Sequence, residues 1–326
     1  MPAFSTVVTG EVWHAEARAW LTDMVAGLGY EVTSVAQPRV RPWSTQLVVE
    51  TTGGRLWFKA GCAAMRFEPG LLSLLARVVP QEVDAPVAVV QERGWMLTAD
   101  RGTTLADTHE PRPDDWASVL RTWARLQRAV ADRGDEMRDT GLPDRSPQGT
   151  VDRFDAMLDR LTTLPPGHPA RLADEVAKDL HDARPIVERA AHTLAAGPFP
   201  TTLQHGDLHP GNVFAVDGTL RVFDFGDAQW AHPLEALMVP RAVVEHGGRV
   251  PWATLQAAYL AEWDVPTDDG ALDEMLRAAA VTHAVNRSSS WWDALDEASD
   301  AEWDDWGEAP ARHLARVLDE VAPGQV

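Results

Sequence analysis

The spacing of apolar residues divides the chain into a first part of short extended runs and a longer second part with helical periodicity. Behind a leading helix, segments 31–37 and 45–51 read as extended, and Leu56-Trp57-Phe58-Lys59-Ala60 forms a third such run after the turn Thr51-Thr52-Gly53-Gly54. Glu68 opens a helix through Leu71, Leu72, Leu74, Leu75 and Val78 that ends before Pro80. Segments 87–90 and 95–98 are again extended, around Gly94. The pattern then turns helical. Trp116, Val119, Leu120, Trp123, Leu126 and Val130 share one face over 114–130, as a core helix requires. Phe154, Leu158 and Leu161 start another helix, and a separate one runs through Leu172, Val176 and Leu180. The Pro- and Gly-rich stretch 134–149 reads as a loop. Later come a helix over 237–245 and one that starts at Pro251 and continues through Leu255, Tyr259 and Trp263.

One interruption of the helical part is short and extended. Val213-Phe214-Ala215-Val216, Asp217-Gly218 and Leu220-Arg221-Val222-Phe223 predict two strands joined by a tight turn. Such a hairpin folds the chain back and brings Asp224 beside Asn212. Two oxygen ligands distant in sequence then share one hard cation. Gly226 lets the backbone turn sharply after the second of them.

Composition narrows the class. With 326 residues and 45% hydrophobic content, the chain suffices for two lobes. The net charge of -20 disfavours a general binder of nucleic-acid backbones. The single cysteine, Cys62, has no partner for an intramolecular disulfide. No basic segment leads into a long apolar core at the start, and no later window is an uninterrupted membrane span. The expectation is a cytoplasmic protein that binds neither nucleic acid nor membrane; the sequence does not fix its oligomeric state.

The candidate chemistry lies on either side of the hairpin. His205-Gly206-Asp207-Leu208-His209-Pro210-Gly211-Asn212 and Asp224-Phe225-Gly226-Asp227 supply an acid, a carboxamide and a second acid. The interval from Asp207 to Asn212 is the one used by the kinase loop that orients an acceptor hydroxyl and reaches a metal. Asp-Phe-Gly alone is weak, since an ordinary buried strand followed by a glycine turn produces it. The two segments together are specific.

On these motifs the sequence resembles the aminoglycoside phosphotransferase and choline kinase family, whose fold is similar to that of protein kinases. The resemblance implies a bilobal α+β protein-kinase-like fold, with a small β-rich nucleotide lobe over 1–98, a connector over 99–105 and a mainly helical lobe over 106–326 that holds the catalytic and acceptor sites. It implies ATP and Mg2+ as cofactors. Asp207 matches the catalytic aspartate, and Asn212 and Asp224 match the magnesium ligands. His205 and His209 match positions that hold the loop. Lys59, one of two lysines in the chain, matches the residue that contacts the ATP phosphates, and Glu68 matches its acidic partner. Read locally, the same pair is a solvated strand lysine and an acid at a helix N-terminus. Backbone groups at Thr98, Ala99 and Asp100 are expected to face adenine, or else merely to cap the small sheet.

The chain departs from the protein-kinase pattern where glycines would cover the phosphates. Pro38-Arg39-Val40-Arg41-Pro42-Trp43-Ser44 stands there instead. Ser44 and nearby backbone donors meet phosphate, with Arg41 adding charge, or the segment is a static hairpin with a surface arginine. Asp227, Glu235, Trp291, Trp292 and Asp293 are the acceptor candidates, because carboxylates and aromatic faces suit an ammonium group; anchoring and capping of helices explain them equally. The expected reaction is ATP-dependent phosphorylation of a small-molecule hydroxyl on an aminoglycoside, amino sugar or choline-like alcohol. A neutral sugar or other metabolite is the alternative acceptor, and a non-catalytic nucleotide-binding regulator is the alternative from another class. No Ala-Pro-Glu marker follows Asp224, which sets protein substrates aside.

Overall fold

A computed structural model describes residues 2–247, 250–265 and 268–320. Helices α1 (Phe4–Val8) and α2 (Glu11–Gly27) lead into strands β1 (Val32–Val40), β2 (Ser44–Thr51) and β3 (Gly54–Gly61), helix α3 (Glu68–Val78), and strands β4 (Ala88–Val90) and β5 (Trp95–Ala99). The strands form one antiparallel sheet in the order β1-β2-β3-β5-β4. Alternation along β2 and β3 gives the sheet two different faces. Leu47, Val49, Phe58, Ala60, Trp95 and Leu97 point to one side and pack on Trp13, Ala17, Leu21 and Val25 of α2, which recur every fourth residue. The opposite face, carrying Gln46, Trp57, Lys59, Met96 and Thr98, borders an interlobe cleft.

The remaining helices are α4 (Leu105–Thr108), α5 (Pro113–Val130), α6 (Gly134–Asp139), α7 (Thr150–Thr163), α8 (Asp174–Ala196), α9 (Met238–Gly247), α10 (Trp252–Leu260), α11 (Asp269–Leu295), α12 (Asp300–Trp306) and α13 (Glu308–Ala315). With α3 they enclose one large core that includes Trp123, Phe154, Phe225 and Tyr259. The architecture is thus a bilobal α+β fold with a β-rich first lobe and a helical second lobe. Two small ribbons lie on the helical lobe: β6 (Thr202–Gln204) with β9 (Gln229–Ala231), and the hairpin β7 (Val213–Val216) with β8 (Thr219–Val222). Among the described residues no helix is long and apolar enough to cross a membrane.

Three sequence expectations need correction. The stretch 134–149 is not wholly a loop: α6 forms because Met137 is fully buried, while Asp135 and Glu136 in its first turn and Arg138 in its last suit the helix dipole. Leu172 precedes its helix, and its N–H donates to the Leu161 carbonyl at 3.1 Å. Strand β1 continues past Pro38 to Val40, because Pro38 falls in the register shift between Ala36 and Arg39, where the ladder to β2 does without its N–H.

Candidate active site

Ribbon β6·β9 and hairpin β7·β8 bring 205–212 and 224–227 together. The Phe223 N–H donates to the Asn212 carbonyl at 3.1 Å, closing the hairpin at its base. His205 is fully buried; its Nε2–H donates to the Phe223 carbonyl at 3.0 Å, and its Nδ1 accepts the Asp207 N–H at 3.3 Å. Burial lowers its pKa, so the ring stays neutral and serves as a strut. Gly206 has φ +84°, and a Cβ there would lie 2.1 Å from the Asp227 carbonyl oxygen. Only glycine permits this approach of the two segments.

Asp224 adopts φ 63° and ψ 65°, a left-handed conformation unusual for a residue other than glycine. The sharp turn expected at Gly226 therefore falls on the acid itself, since Gly226 does not have positive φ. What Gly226 supplies is space: a Cβ would sit 3.2 Å from Met65 Sδ, tighter than an ordinary contact, with Lys59 Nζ at 3.4 Å.

Lys59 Nζ lies 2.7 Å from the Glu68 carboxylate and 2.6 Å from Asp224 Oδ1. Burial opposes the lysine's charge, but Asp224 and Glu68 outweigh it and raise its pKa. For Asp224, burial is likewise overcome by Lys59, which brings the carboxyl down to about 2. Burial pushes Glu68 up against the pull of Lys59. Lys59 is not a solvated strand lysine: it is 8% exposed and donates to both the Glu68 and the Asp224 carboxylates.

Asn212 donates its Nδ2 to the Asp207 carbonyl at 2.8 Å, leaving its carbonyl oxygen available to a metal. Asp224 likewise keeps Oδ2 beyond its bond to Lys59. No group of three His, Cys, Asp or Glu suited to a metal occurs among the described residues. Two hard oxygens on a cleft nevertheless fit Mg2+, which takes one or two protein ligands and fills its shell with water and phosphate oxygens. Asp207 stands beside His209, whose Nε2 is 3.5 Å from Oδ2. Burial alone would raise its pKa; the bond to His209 and the charge of Arg287 lower it instead, so the carboxylate is ionised. Asp207 in turn raises the pKa of His209.

The cleft has a volume of about 330 Å³ and is bordered by Lys59, Glu68, Thr98, Ala99, Asn212 and Asp224. Asp100 is not on its wall; its N–H donates to the Arg55 carbonyl at 3.3 Å and its carboxylate caps Gly102. Ser44 is also off the wall, fully buried at the start of β2. Arg39 and Gln46, which sequence reasoning left out, are on it.

The acceptor candidates do not form one group. Asp227 and Asp293 border a small hollow beyond Gly226, together with Met65, Arg145 and Ser290. Each is already ion-paired, Asp227 with Arg287 at 2.7 Å and Asp293 with Arg145 at 2.6 Å. Glu235 is fully buried and accepts from Thr282 at 2.8 Å and Asn286 at 2.9 Å, which braces α11 against the segment before α9. Trp291 meets Trp43 edge-on at 5.4 Å and stacks near Trp306 at 6.0 Å, while Trp292 turns to Trp303 and Arg160. Successive helical residues point about 100° apart, so the two tryptophans cannot serve one pocket. Arg145 and Arg287 were not singled out from the sequence, where arginine is too common to be a signal.

Residues 63–275 match the phosphotransferase enzyme family. Among solved structures, a choline/ethanolamine kinase family protein from Mesorhizobium loti is similar with a TM-score of 0.62 at 17% identity, over 96% of each chain. Plasmodium vivax ethanolamine kinase gives 0.61 at 12% identity, over 89% of this chain and 82% of its own. A spectinomycin phosphotransferase solved with ADP and spectinomycin gives 0.52 at 11%, over 92% of this chain and 98% of its own. At such identities the likeness speaks to fold. No curated protein matches the chain.

Proposed function

Since the chain belongs to the phosphotransferase enzyme family, we propose that it transfers the γ-phosphoryl group of ATP to a hydroxyl of a small molecule. The observation that carries this reading is the convergence of Asn212, Asp224 and the Lys59–Glu68 pair on the cleft wall, with Asp207 just off that wall and tied to it by the Asn212 amide, which donates to the Asp207 carbonyl at 2.8 Å. ATP lies between a first lobe over 1–98 and a helical lobe over 106–326, joined by 99–105, with Thr98 and Ala99 on the adenine side. Lys59, held at both oxygens, presents a fixed positive charge to phosphate. Asn212 and Asp224 would hold Mg2+, which when bound would neutralise charge on the phosphate oxygens.

Asp207 orients the acceptor hydroxyl and receives its proton as the oxygen bonds to the γ-phosphorus and the bond to the leaving ADP oxygen breaks. The neighbouring His209 and Arg287 keep Asp207 ionised, so it is able to accept that proton. The acceptor enters beside Asp227. An amine-bearing acceptor suits the acids there, and a neutral polyol is favoured by one observation: Asp227 and Asp293 already have arginine partners.

A screen of ATP consumption over aminoglycosides, amino sugars, sugars and small alcohols, followed by the mass of the product, tests the reaction. With an accepted substrate, Asp207→Ala and Asp224→Ala should lower turnover by about 10²-fold or more. Near-normal turnover by both variants would contradict the assigned roles.

A further inference from the structure

Four residues stand directly opposite one another across the sheet: Arg39 on β1, Gln46 on β2, Lys59 on β3 and Met96 on β5. All four border the interlobe cleft. Regular alternation would not place Arg39 in this row. Ala36 pairs with Val48 and Arg39 with Gln46, so β1 uses three steps where β2 uses two. The extra residue is a bulge at Gln37-Pro38, and it reverses which side chains of β1 face the cleft.

Charge bookkeeping on the cleft wall singles out the same residue. Four cations border it. Lys59 is held by Glu68 and Asp224, Arg101 makes two bonds of 2.9 Å to Asp84, and Arg221 donates to the Pro80 carbonyl and lies 3.9 Å from Asp84. Arg39 has no ion pair among the described residues, and its buried Nε has no hydrogen-bond partner. It stands in the same cross-strand row as Lys59, whose Nζ lies 2.6 Å from Asp224. An unpaired guanidinium beside the metal-ligand end of a nucleotide cleft lacks an anion. The tip of the β1–β2 turn does not supply the missing contact, because Arg41 lies over the Trp306 ring at 5.9 Å and Trp43 packs between Trp291 and Trp306.

We propose that Arg39 binds the terminal phosphate of ATP, supplying from the bulged edge strand the contact that a glycine-rich loop makes with backbone N–H groups in protein kinases. The proposal rests on the nucleotide reading above. A guanidinium offers paired donors that match two phosphate oxygens, whereas an ammonium offers a single point of charge.

Calorimetric titration of the full chain with AMP-PNP and with ADP, both with Mg2+, tests the assignment in wild type, Arg39→Ala, Arg39→Lys and Arg41→Ala. Arg39→Ala should weaken AMP-PNP by about 10-fold or more while ADP changes by less than about 3-fold. Arg39→Lys should recover part of the loss, and Arg41→Ala should match wild type. Equal weakening of AMP-PNP and ADP, or no weakening by Arg39→Ala, overturns the role of Arg39 and leaves the kinase reading standing. Failure of the wild type to bind either nucleotide overturns both. Should Arg39→Ala fail to fold, Arg39→Gln decides by the same comparison.

Discussion

Replacing Lys59 by methionine isolates the electrostatic centre of the cleft from its chemistry. Methionine keeps the stem's apolar bulk and removes the cation that serves the buried Glu68 carboxylate at 2.7 Å and the half-buried Asp224 carboxylate at 2.6 Å. Breaking a buried ion pair by removing one partner costs about 3–5 kcal/mol, because a charge is left without compensation. Part of that loss can be read from Asp224. Its pKa of about 2, against an ordinary 3.8, corresponds to about 2 kcal/mol of stability. The folded value is depressed, so this contribution is present above pH 3.8 and disappears as pH falls toward 2. In the variant it is missing at neutral pH, and Glu68, already pushed up by burial, takes up a proton as pH falls. Urea denaturation at pH 7 and pH 5 should therefore show a deficit near 3 kcal/mol or more at pH 7 that shrinks at pH 5. Adding Asp224→Asn and Glu68→Gln to Lys59→Met should restore part of the loss, since no buried charge then remains. A deficit below about 1 kcal/mol at pH 7, or one unchanged by pH and by the added substitutions, would refute the coupling of these three side chains.

Other substitutions separate structure from catalysis. Gly206→Ala should abolish phosphoryl transfer and lower stability by about 2 kcal/mol or more, read by thermal melting, because its Cβ would overlap the Asp227 carbonyl at 2.1 Å with φ +84°. Glu235, pushed up to about 7 by burial, binds its proton more tightly folded than unfolded. That preference penalises the folded state increasingly as pH rises from 4.5 through 7, by about 3 kcal/mol at the plateau; Glu235→Gln should flatten the pH profile of stability and raise it above pH 7, as followed by urea denaturation. Trp43→Ala removes ring contacts with Trp291 at 5.4 Å and Trp306 at 5.2 Å, each worth about 0.5–1.5 kcal/mol beyond buried area, and should speed hydrogen exchange of the Arg41 and Cys62 amides that bond across this turn. Chelation of divalent ions by EDTA should stop transfer, with recovery on adding excess Mg2+.

The loop-and-hairpin half of the candidate site was legible because its residues are close in sequence. Asp207 and Asn212 share one loop, and Asp224 returns across a hairpin whose Asp217-Gly218 turn is a local signal; the structure has Asp217 at φ 49° and Gly218 at φ 78°. Lys59 and Glu68 were recognisable as a strand residue and a helix start, but their 2.7 Å contact depends on how α3 docks beneath the sheet. The acceptor side was the least legible. Carboxylates and tryptophans were attractive there by chemistry alone, and the structure engages Asp227, Asp293, Glu235 and Trp291 with Arg287, Arg145, Thr282 and Trp43 respectively. Each of these partners lies at least 47 residues away in sequence, beyond the reach of any local pattern.

The β1–β2 turn shows how one backbone irregularity can redistribute several functions. Without the bulge, alternation would turn Arg39 away from Lys59 and toward the face that packs on α2, where a guanidinium would enter an apolar core. With it, Arg39 joins the cleft row, and only Arg41, Pro42 and Trp43 remain between β1 and β2. Three residues are too few for a flexible flap over the phosphates. Their tip is instead held by Trp43 between Trp291 and Trp306, and the Trp43 carbonyl accepts the Cys62 N–H at 2.9 Å. A backbone pinned in this way differs from a glycine-rich loop, and on the proposed nucleotide reading the phosphate contact comes from a side chain that already faces the cleft. Among the described residues Arg39 is the cation on that wall without an ion pair, which ties the absence of glycines in the turn to the bulge that precedes it.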